Sequence, residues 1–196
     1  MDRYSIPGVR TFEYTKIVGL DLIEFGTDII IDDFVFIYAT NRMRFGSHIH
    51  IASFTSISGG GTLDMADFTT LSSGVRVFTG SDDYTGWGFG NSTVPEPYRH
   101  VARGAVQIDR FAIVGANAVI LPNVRIGEGA AVGAGSVVTR DLAPWGVYIG
   151  NRRVRDRDRE GILQNYAAYQ SEHQSAAVSP QGGGATADGN THEAGS

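Results

Sequence analysis

The stretch IDRFAIVGANAVILPNVRIGEGAAVGAGSVVTRDL, residues 108–142, decides the architecture of this chain. An aliphatic residue returns at every sixth position, and the residue four places further on is small or apolar in nearly every case. The aliphatic positions are Ile108, Val114, Ile120, Ile126, Val132 and Val138. A period of six fits neither an α-helix, with about 3.6 residues a turn, nor a half-buried strand, which alternates every second residue. The stretch is therefore an internal repeat.

The same step runs through the earlier part of the chain, where two extra residues follow every third hexad and the pattern repeats every 20 residues. Its apolar members are Phe25, Ile31, Ile37, Phe45, Ile51, Ile57, Met65, Leu71 and Val77. Three hexads close one turn of a triangular prism, and the turns stack as parallel strands. We therefore predict an all-β fold, a left-handed parallel β-helix (hexapeptide-repeat prism). Gly, Asn and Asp recur near the expected corners, where positive φ is best tolerated.

The pattern divides the chain into an N-terminal segment (1–16), a β-helix domain (17–150), a C-terminal helix (151–173) and a tail (174–196). The helix carries apolar residues at helical spacing and is predicted to cap the open end of the prism. The tail is rich in Ser, Ala, Gly, Pro and Thr, a composition that predicts disorder.

A loop insertion at 83–105 interrupts the hexads and is rich in Gly, Pro and aromatic residues. Irregular insertions of this length in compact domains are usually functional or disordered. The aromatic residues favour an ordered loop; they are Tyr84, Trp87, Phe89 and Tyr98.

The composition narrows the function classes. The chain has 196 residues, a formal net charge of −5 and no cysteine, so nucleic acid is not an expected partner, and thiolate chemistry and disulfides are excluded. The N-terminus lacks a signal-peptide core, and no apolar run approaches the roughly 18 residues of a membrane span. We expect a soluble, cytoplasmic protein.

Several motifs resemble those of hexapeptide-repeat acyltransferases. They are HIHIAS (48–53), GGG (59–61), LSSGV (71–75), SDDYTG (81–86), TVPEPY (93–98) and the run from Ile113 to Gly150. The chain is similar to sugar O-acetyltransferases of lipopolysaccharide and capsule clusters and to N-acetyltransferases of nucleotide-linked amino sugars. The resemblance implies a homotrimer that moves acetyl from acetyl-CoA to a hydroxyl or amine of a sugar or nucleotide-sugar. The acceptor would be a precursor in cell-surface polysaccharide or lipopolysaccharide biosynthesis.

Acetyl transfer needs a base, and histidine suits this task because its ordinary pKa lies near neutrality. His48 and His50 occupy the fourth and sixth positions of one hexad, so both lie at or near a corner and face outward. Related polysaccharide-cluster enzymes share the HIA element, which favours His50 as the base. His48 and His100 are predicted to contact the substrate, and either remains an alternative base. His173 falls in the C-terminal helix and is discarded.

Asp82 and Asp83 stand where galactoside and xenobiotic acetyltransferases carry their catalytic histidine. We predict that one of them orients His50 across the trimer interface or binds the sugar, since a carboxylate also holds an incoming ammonium group. The alternative is a plain turn. Tyr84, which follows in the loop, is assigned to the substrate.

The resemblance also assigns the acetyl-CoA site. Small residues of the late coils would let the pantetheine arm approach the backbone; they are Gly115, Ala116, Gly133 and Ala134. The CoA phosphates require cations, for which Arg140, Arg152 and Arg153 are the candidates.

Two other functions use the same prism. A γ-type carbonic anhydrase binds a metal through three histidines, but residues two apart at a corner point in different directions, so no metal is expected. A non-catalytic β-helix scaffold is the second alternative, and it leaves the SDDYTG loop without a purpose.

Overall fold

In the computed structural model, which describes the backbone of residues 3–178 and the side chains of residues 3–173, the hexads form a prism of three parallel sheets. The strands are numbered in chain order. Face A contains β1 (Val9–Thr11), β4 (Ile29–Ile31), β7 (Ile49–Ile51), β10 (Thr70–Leu71), β15 (Ile113–Val114), β18 (Ala131–Val132), β20 (Gly146–Ile149) and the antiparallel β21 (Arg152–Asp156). Face B contains β2 (Lys16–Val18), β5 (Phe36–Tyr38), β8 (Ser56–Ser58), β11 (Arg76–Phe78), β16 (Val119–Ile120) and β19 (Val137–Val138). Face C contains β3 (Ile23–Phe25), β6 (Met43–Phe45), β9 (Thr62–Met65), β14 (Ala105–Ile108) and β17 (Arg125–Ile126).

Three kinds of element lie outside these parallel stacks. A hairpin joins β12 (Gly80–Asp82) to β13 (Val101–Arg103) between faces B and C. Short 3-10 helices cover Leu20–Leu22 and Glu96–Tyr98. Helix α1 (Arg159–Val178) forms a unit separate from the prism and is described by itself.

The strand register confirms the repeat and locates its extra residues. His50 pairs with Ile30, 20 residues earlier, whereas Ile113 pairs with Ala131, 18 residues later. In the early coils the longer step lies between faces B and C. The hairpin leaves the prism at this B–C corner. Length variation is thus confined to one edge of the prism.

The apolar residues that return at every sixth position form one continuous core, and Phe25 packs against it partly buried. Ile31, Leu71 and Ile120 have no exposed surface, and alternate residues of the same strands face outward. Burial of these branched side chains is the main favourable term in folding.

Bulky residues occupy several corners where Gly, Asn and Asp were expected. Phe34, Phe54 and His48 all have positive φ values of about 60°, a region that bulky residues seldom adopt. Tyr14, Phe34 and Phe54 stack along one corner with ring centroids 5.2 and 5.1 Å apart. Contact between successive coils offsets the local backbone strain.

The element bounds differ from those predicted at both ends of the prism. β1 already belongs to face A, so the β-helix begins before residue 17. Residues 152–156 form the edge strand β21, and α1 begins only at Arg159 and continues to Val178. The segment 151–173 is therefore not one helix. Residues 179–196, most of the predicted tail, lie outside the described residues. A capping role for α1 stays a prediction.

Candidate functional site

Both ends of the loop approach the coil below so closely that only glycine fits at the contact. The hairpin pairs Gly80 with Arg103 and Asp82 with Val101. A Cβ on Gly59 would lie 2.3 Å from the Gly80 nitrogen, and a Cβ on Gly61 would lie 2.0 Å from the Gly104 carbonyl oxygen. The GGG motif therefore seats both ends of the loop directly on the coil below.

Asp83 organises the loop beyond these contacts. Its carboxylate accepts hydrogen bonds from the Thr85 backbone nitrogen at 2.7 Å and hydroxyl at 2.5 Å, and from the backbone nitrogens of Trp87 and Gly88. These bonds, led by that from the Thr85 hydroxyl, lower the pKa of Asp83 to about 2. A carboxylate so occupied is a poor proton acceptor at neutral pH.

Asp82 differs from its neighbour. It is exposed, and no hydrogen bond or ion pair of its carboxylate occurs among residues 3–178. It lines a cavity of about 410 Å³ where the loop leaves the prism, together with Phe78, Gly80, Ser81, Tyr84, Leu121 and Pro122. Asp82 and the exposed Tyr84 thus line one cavity, and their contact with the acceptor stays a prediction.

His50 has an acidic partner that the sequence reasoning missed. Its Nε2 lies 3.1 Å from Oδ2 of Asp32, with side-chain exposures of 46% and 28%. Asp32 directly follows β4, whose Ile30 pairs with His50, so the two side chains are diagonal neighbours on face A. The pair could have been predicted from the 20-residue repeat. That repeat places Asp32 in the preceding coil, level with the residue two positions after His50.

His48 sits in a different environment, although only one residue separates it from His50. It turns the corner with a φ of 58° and stacks on Phe68 at a centroid distance of 4.5 Å. Its Nε2 is 3.9 Å from Oδ2 of Asp28. This packing favours a structural contribution for His48, and its contact with substrate stays a prediction.

In one chain the predicted base and the Asp pair are not brought together. His50 faces outward from face A, whereas Asp82 and Asp83 lie on the hairpin that leaves the opposite, B–C corner. Among the described residues, the polar partner of His50 is Asp32. An orienting role of Asp82 or Asp83 therefore requires a second copy of the chain.

The predicted CoA residues fall into two groups. Gly115 and Ala116 lie one coil from Gly133 and Ala134 at the corner between faces A and B, and a Cβ on Gly115 would be 2.6 Å from the Ala134 nitrogen. This stacking supplies a narrow strip of backbone.

Two of the three arginines follow residues that are in contact: Thr139 and Asn151, which precede Arg140 and Arg152, are joined by two hydrogen bonds. Arg140 is exposed beyond β19. Arg152 and Arg153 are successive residues of β21 and point to opposite sides of it. Arg153 already pairs with Asp156 at 2.8 Å and donates to the Trp145 carbonyl.

Within the part of the chain that the structure describes, no group of three or more His, Asp or Glu side chains is arranged to hold a metal ion. In the same range, no helix combines the length and apolar character needed to cross a bilayer.

Known proteins resemble this chain in sequence and fold. The family model for bacterial transferase hexapeptide repeats matches residues 105–140. The dTDP-4-amino-4,6-dideoxy-D-glucose acyltransferase of Escherichia coli is 34% identical over 143 residues, which are 72% of this chain and 74% of that enzyme. A putative acetyltransferase of Staphylococcus aureus is 38% identical over 80 residues, 37% of this chain and 40% of that protein.

A solved structure extends the likeness. AntD, an N-acyltransferase from Bacillus cereus in complex with dTDP and 3-hydroxybutyryl-CoA, matches with a TM-score of 0.79 and 33% identity, covering 85% of this chain and 89% of AntD. Two AntD variants are solved with dTDP-4-amino-4,6-dideoxyglucose and coenzyme A. The AntD variants change either a serine or an aspartate ten positions later.

These relatives confirm the predicted family, the β-helix and the acyl-CoA-dependent sugar acyltransferase class. The E. coli enzyme is matched over nearly three quarters of its length, and AntD over nearly nine tenths. The chain belongs to the hexapeptide-repeat acyltransferase family.

Proposed function

We propose that this chain transfers an acyl group from acyl-CoA to the amino group of a dTDP-linked 4-amino-4,6-dideoxy sugar. The observation that carries the proposal is Asp82, whose carboxylate has no hydrogen-bond or ion-pair partner among residues 3–173 and which lines one cavity together with Tyr84. A sugar amine is an ammonium ion near neutral pH, and a carboxylate binds it through charge-assisted hydrogen bonds. A sugar hydroxyl gives an ionised aspartate no comparable attraction.

The two residues substituted in the AntD variants are ten positions apart, and this spacing also points to Asp82. This chain has only two serines followed by an aspartate ten positions later, and the pairs are Ser72 with Asp82 and Ser73 with Asp83. Both aspartates belong to the loop. Because Asp83 is occupied by loop hydrogen bonds, Asp82 is the better candidate for substrate.

The reaction then divides between two groups. Asp82 holds the ammonium, and His50 accepts a proton so that the amine nitrogen can attack the thioester carbonyl. The C–N bond forms, the C–S bond breaks, and the CoA thiol leaves with a proton. Asp32 holds the His50 ring in position, in the place that the sequence assigned to Asp82 or Asp83.

The donor is proposed to lie at the corner between faces A and B. Gly115, Ala116, Gly133 and Ala134 would line the pantetheine arm, and Arg140 or Arg152 would meet its phosphates. The product fits a precursor of cell-surface polysaccharide.

We propose that the chain assembles as a homotrimer, and the placement of the two groups supports an assembly of copies. Because His50 and Asp82 lie on opposite sides of one prism, a neighbouring copy must supply one of them. The outward row of face A is largely apolar and offers a contact surface; it comprises Ile30, His50, Thr70, Ile113, Ala131 and Val147. Face C carries ion pairs instead, as suits a solvated surface.

The first experiment measures released CoA thiol with acetyl-CoA and 3-hydroxybutyryl-CoA as donors. The acceptors are dTDP-4-amino-4,6-dideoxyglucose, its 4-hydroxy counterpart and simple glycosides. We expect turnover with the amino sugar alone, and a loss of about 10² or more in His50→Ala and in Asp82→Asn. Equal turnover with the 4-hydroxy counterpart would contradict N-acylation.

Mixed trimers test whether the two groups come from different copies. His50→Ala and Asp82→Asn subunits, each inactive alone, are co-expressed with different tags and purified as hybrids. If each site joins His50 of one copy to Asp82 of the next, every purified hybrid trimer keeps one intact site, about a third of its sites. Hybrids that stay inactive would contradict a shared site.

A further inference from the structure

We propose that a second cavity on the loop hairpin binds the diphosphate of the nucleotide-linked acceptor. It has a volume of about 200 Å³ and is lined by Glu96, Arg99, His100, Val101 and Arg103. Neither arginine was a candidate from the sequence. The inference rests on the proposed function, because only a nucleotide-linked acceptor would bring this diphosphate to the hairpin.

Arg99 is the reason to place an anion in this cavity. Its Nε is buried and has no hydrogen-bond partner among the described residues. An unpaired buried donor on a charged group costs free energy, which an incoming anion would recover. Several other surface arginines meet a carboxylate, including Arg42, Arg44, Arg110 and Arg125. Arg99 and Arg103 form no such pair within the described residues, although Glu96 lines the same cavity.

The backbone directs both arginines to one side. Arg99 has extended dihedral angles, and β13 begins two residues later, so residues 99, 101 and 103 point in the same direction. Arg103 also lies over Gly60, where a Cβ would come within 2.9 Å of the Arg103 Nε. Gly60 has a φ of +79° and leaves the room that Arg103 occupies.

The position of the cavity favours the acceptor over CoA, although both contain a diphosphate. Asp82, proposed to hold the amine, pairs with Val101, which lines the cavity. In a 4-amino sugar nucleotide, one pyranose ring separates the amine from the diphosphate. Neighbouring strands of one hairpin can therefore hold both ends of the sugar. Two planar guanidinium groups match the oxygens of a diphosphate.

The test compares Arg99→Gln and Arg103→Gln with the wild type by calorimetry, using dTDP, thymidine and CoA as probes. We expect the wild type to bind dTDP far more tightly than thymidine. Each variant should bind dTDP at least about tenfold more weakly, the loss of one charge-assisted contact. Affinity for CoA should change less than about twofold in the same variants. The KM for the amino sugar should rise in parallel, and the KM for acyl-CoA should not.

Two control variants separate charge at this cavity from other effects. Arg42→Gln removes an exposed, ion-paired arginine of face C and should change none of these affinities. Glu96→Gln removes the carboxylate of the cavity and should tighten dTDP binding. Unchanged dTDP binding in both arginine variants, while the wild type still acylates the amino sugar, would overturn this inference alone. Weakened CoA binding instead would assign the cavity to the donor and also overturn it. A wild type that neither binds dTDP nor acylates any nucleotide-linked amino sugar would overturn the proposed function as well.

Discussion

The coils and the loop of this molecule are built by different means. In the coils, inward side chains such as Leu71 and Ile120 are fully buried, and each strand repeats the one below it. In the loop, Tyr84 and Trp87 are 92% and 86% exposed. There the backbone is held by hydrogen bonds to the Asp83 carboxylate and by the close contacts of the GGG motif. Apolar burial fixes the coils, whereas a few polar contacts and close approaches fix the loop.

This difference separates stability from recognition. A segment with little buried apolar surface opens at low free-energy cost, which suits a region that must admit a substrate. The coils supply the rigid support on which the loop, Asp82 and the two arginines are placed. Changes in the coils should therefore affect unfolding, and changes in the loop should affect acceptor binding.

The largest expected contrast is between Leu71→Ala and Trp87→Ala. Leu71 is fully buried, so its truncation should lower the free energy of unfolding by about 2–5 kcal/mol. Trp87 is exposed, and its truncation should change that free energy by no more than about 0.5 kcal/mol. Urea unfolding at one fixed protein concentration measures both, because any assembly makes stability depend on concentration. Equal losses would show that the loop contributes to the folded core.

The GGG motif, where the loop meets the coils, offers a second contrast, between Gly61→Ala and Gly90→Ala. Gly61→Ala places a Cβ against the backbone oxygens of Gly104 and Thr79 at 2.0 and 2.2 Å, so one end of the loop must shift. We expect a loss of about 1–3 kcal/mol and faster proteolysis within residues 83–100. Gly90→Ala is the matched control, because a Cβ there meets only ordinary contacts at 3.4 Å or more. Proteolysis that is equally slow in both variants would contradict the idea that the GGG motif holds the ends of the loop in place.

The coils could be predicted from the sequence, whereas the details of the loop could not. The six-residue step identified the prism and its core, because each inward position repeats the same environment. The loop lacks such redundancy. Asp82 and Asp83 are identical in type and adjacent, yet only the fold distinguishes the open carboxylate from the one enclosed by Thr85, Trp87 and Gly88.

Contacts between coils become visible in the sequence only when the strand register is applied to it. Asp32 meets His50 because the register brings residues 18 apart side by side. Arg99 and Arg103 line one cavity only because β13 is extended and pairs with β12. At the C-terminal end, apolar spacing predicted a helix from residue 151, but β21 first extends face A by one antiparallel strand. Each of these features depends on neighbours that are distant in sequence.

A pH titration tests whether Asp83 holds the loop. Its pKa is lowered from 3.8 to about 2 in the folded loop. Since the folded value is depressed, the stabilising effect is complete above the ordinary pKa and is lost as pH falls through the folded value. Trp87 fluorescence should therefore be constant above about pH 5 and change between about pH 4 and 2. Asp83→Asn should show the low-pH signal already at pH 7, whereas Asp82→Asn should titrate like the wild type. A wild-type signal in Asp83→Asn would contradict this role.

The smallest expected effect concerns the ion pairs of face C. Arg125 lies 2.8 Å from Asp109, but its side chain is largely exposed, so solvent and salt screen the attraction. Arg125→Gln should lower the free energy of unfolding by less than about 1 kcal/mol, and the difference should shrink in 1 M salt. A much larger loss of unfolding free energy in Leu71→Ala would show that the apolar core, and not the ion pairs, stabilises the coils. A larger, salt-insensitive loss would mean that the polar face also holds the prism together, and that burial alone does not distinguish the coils from the loop.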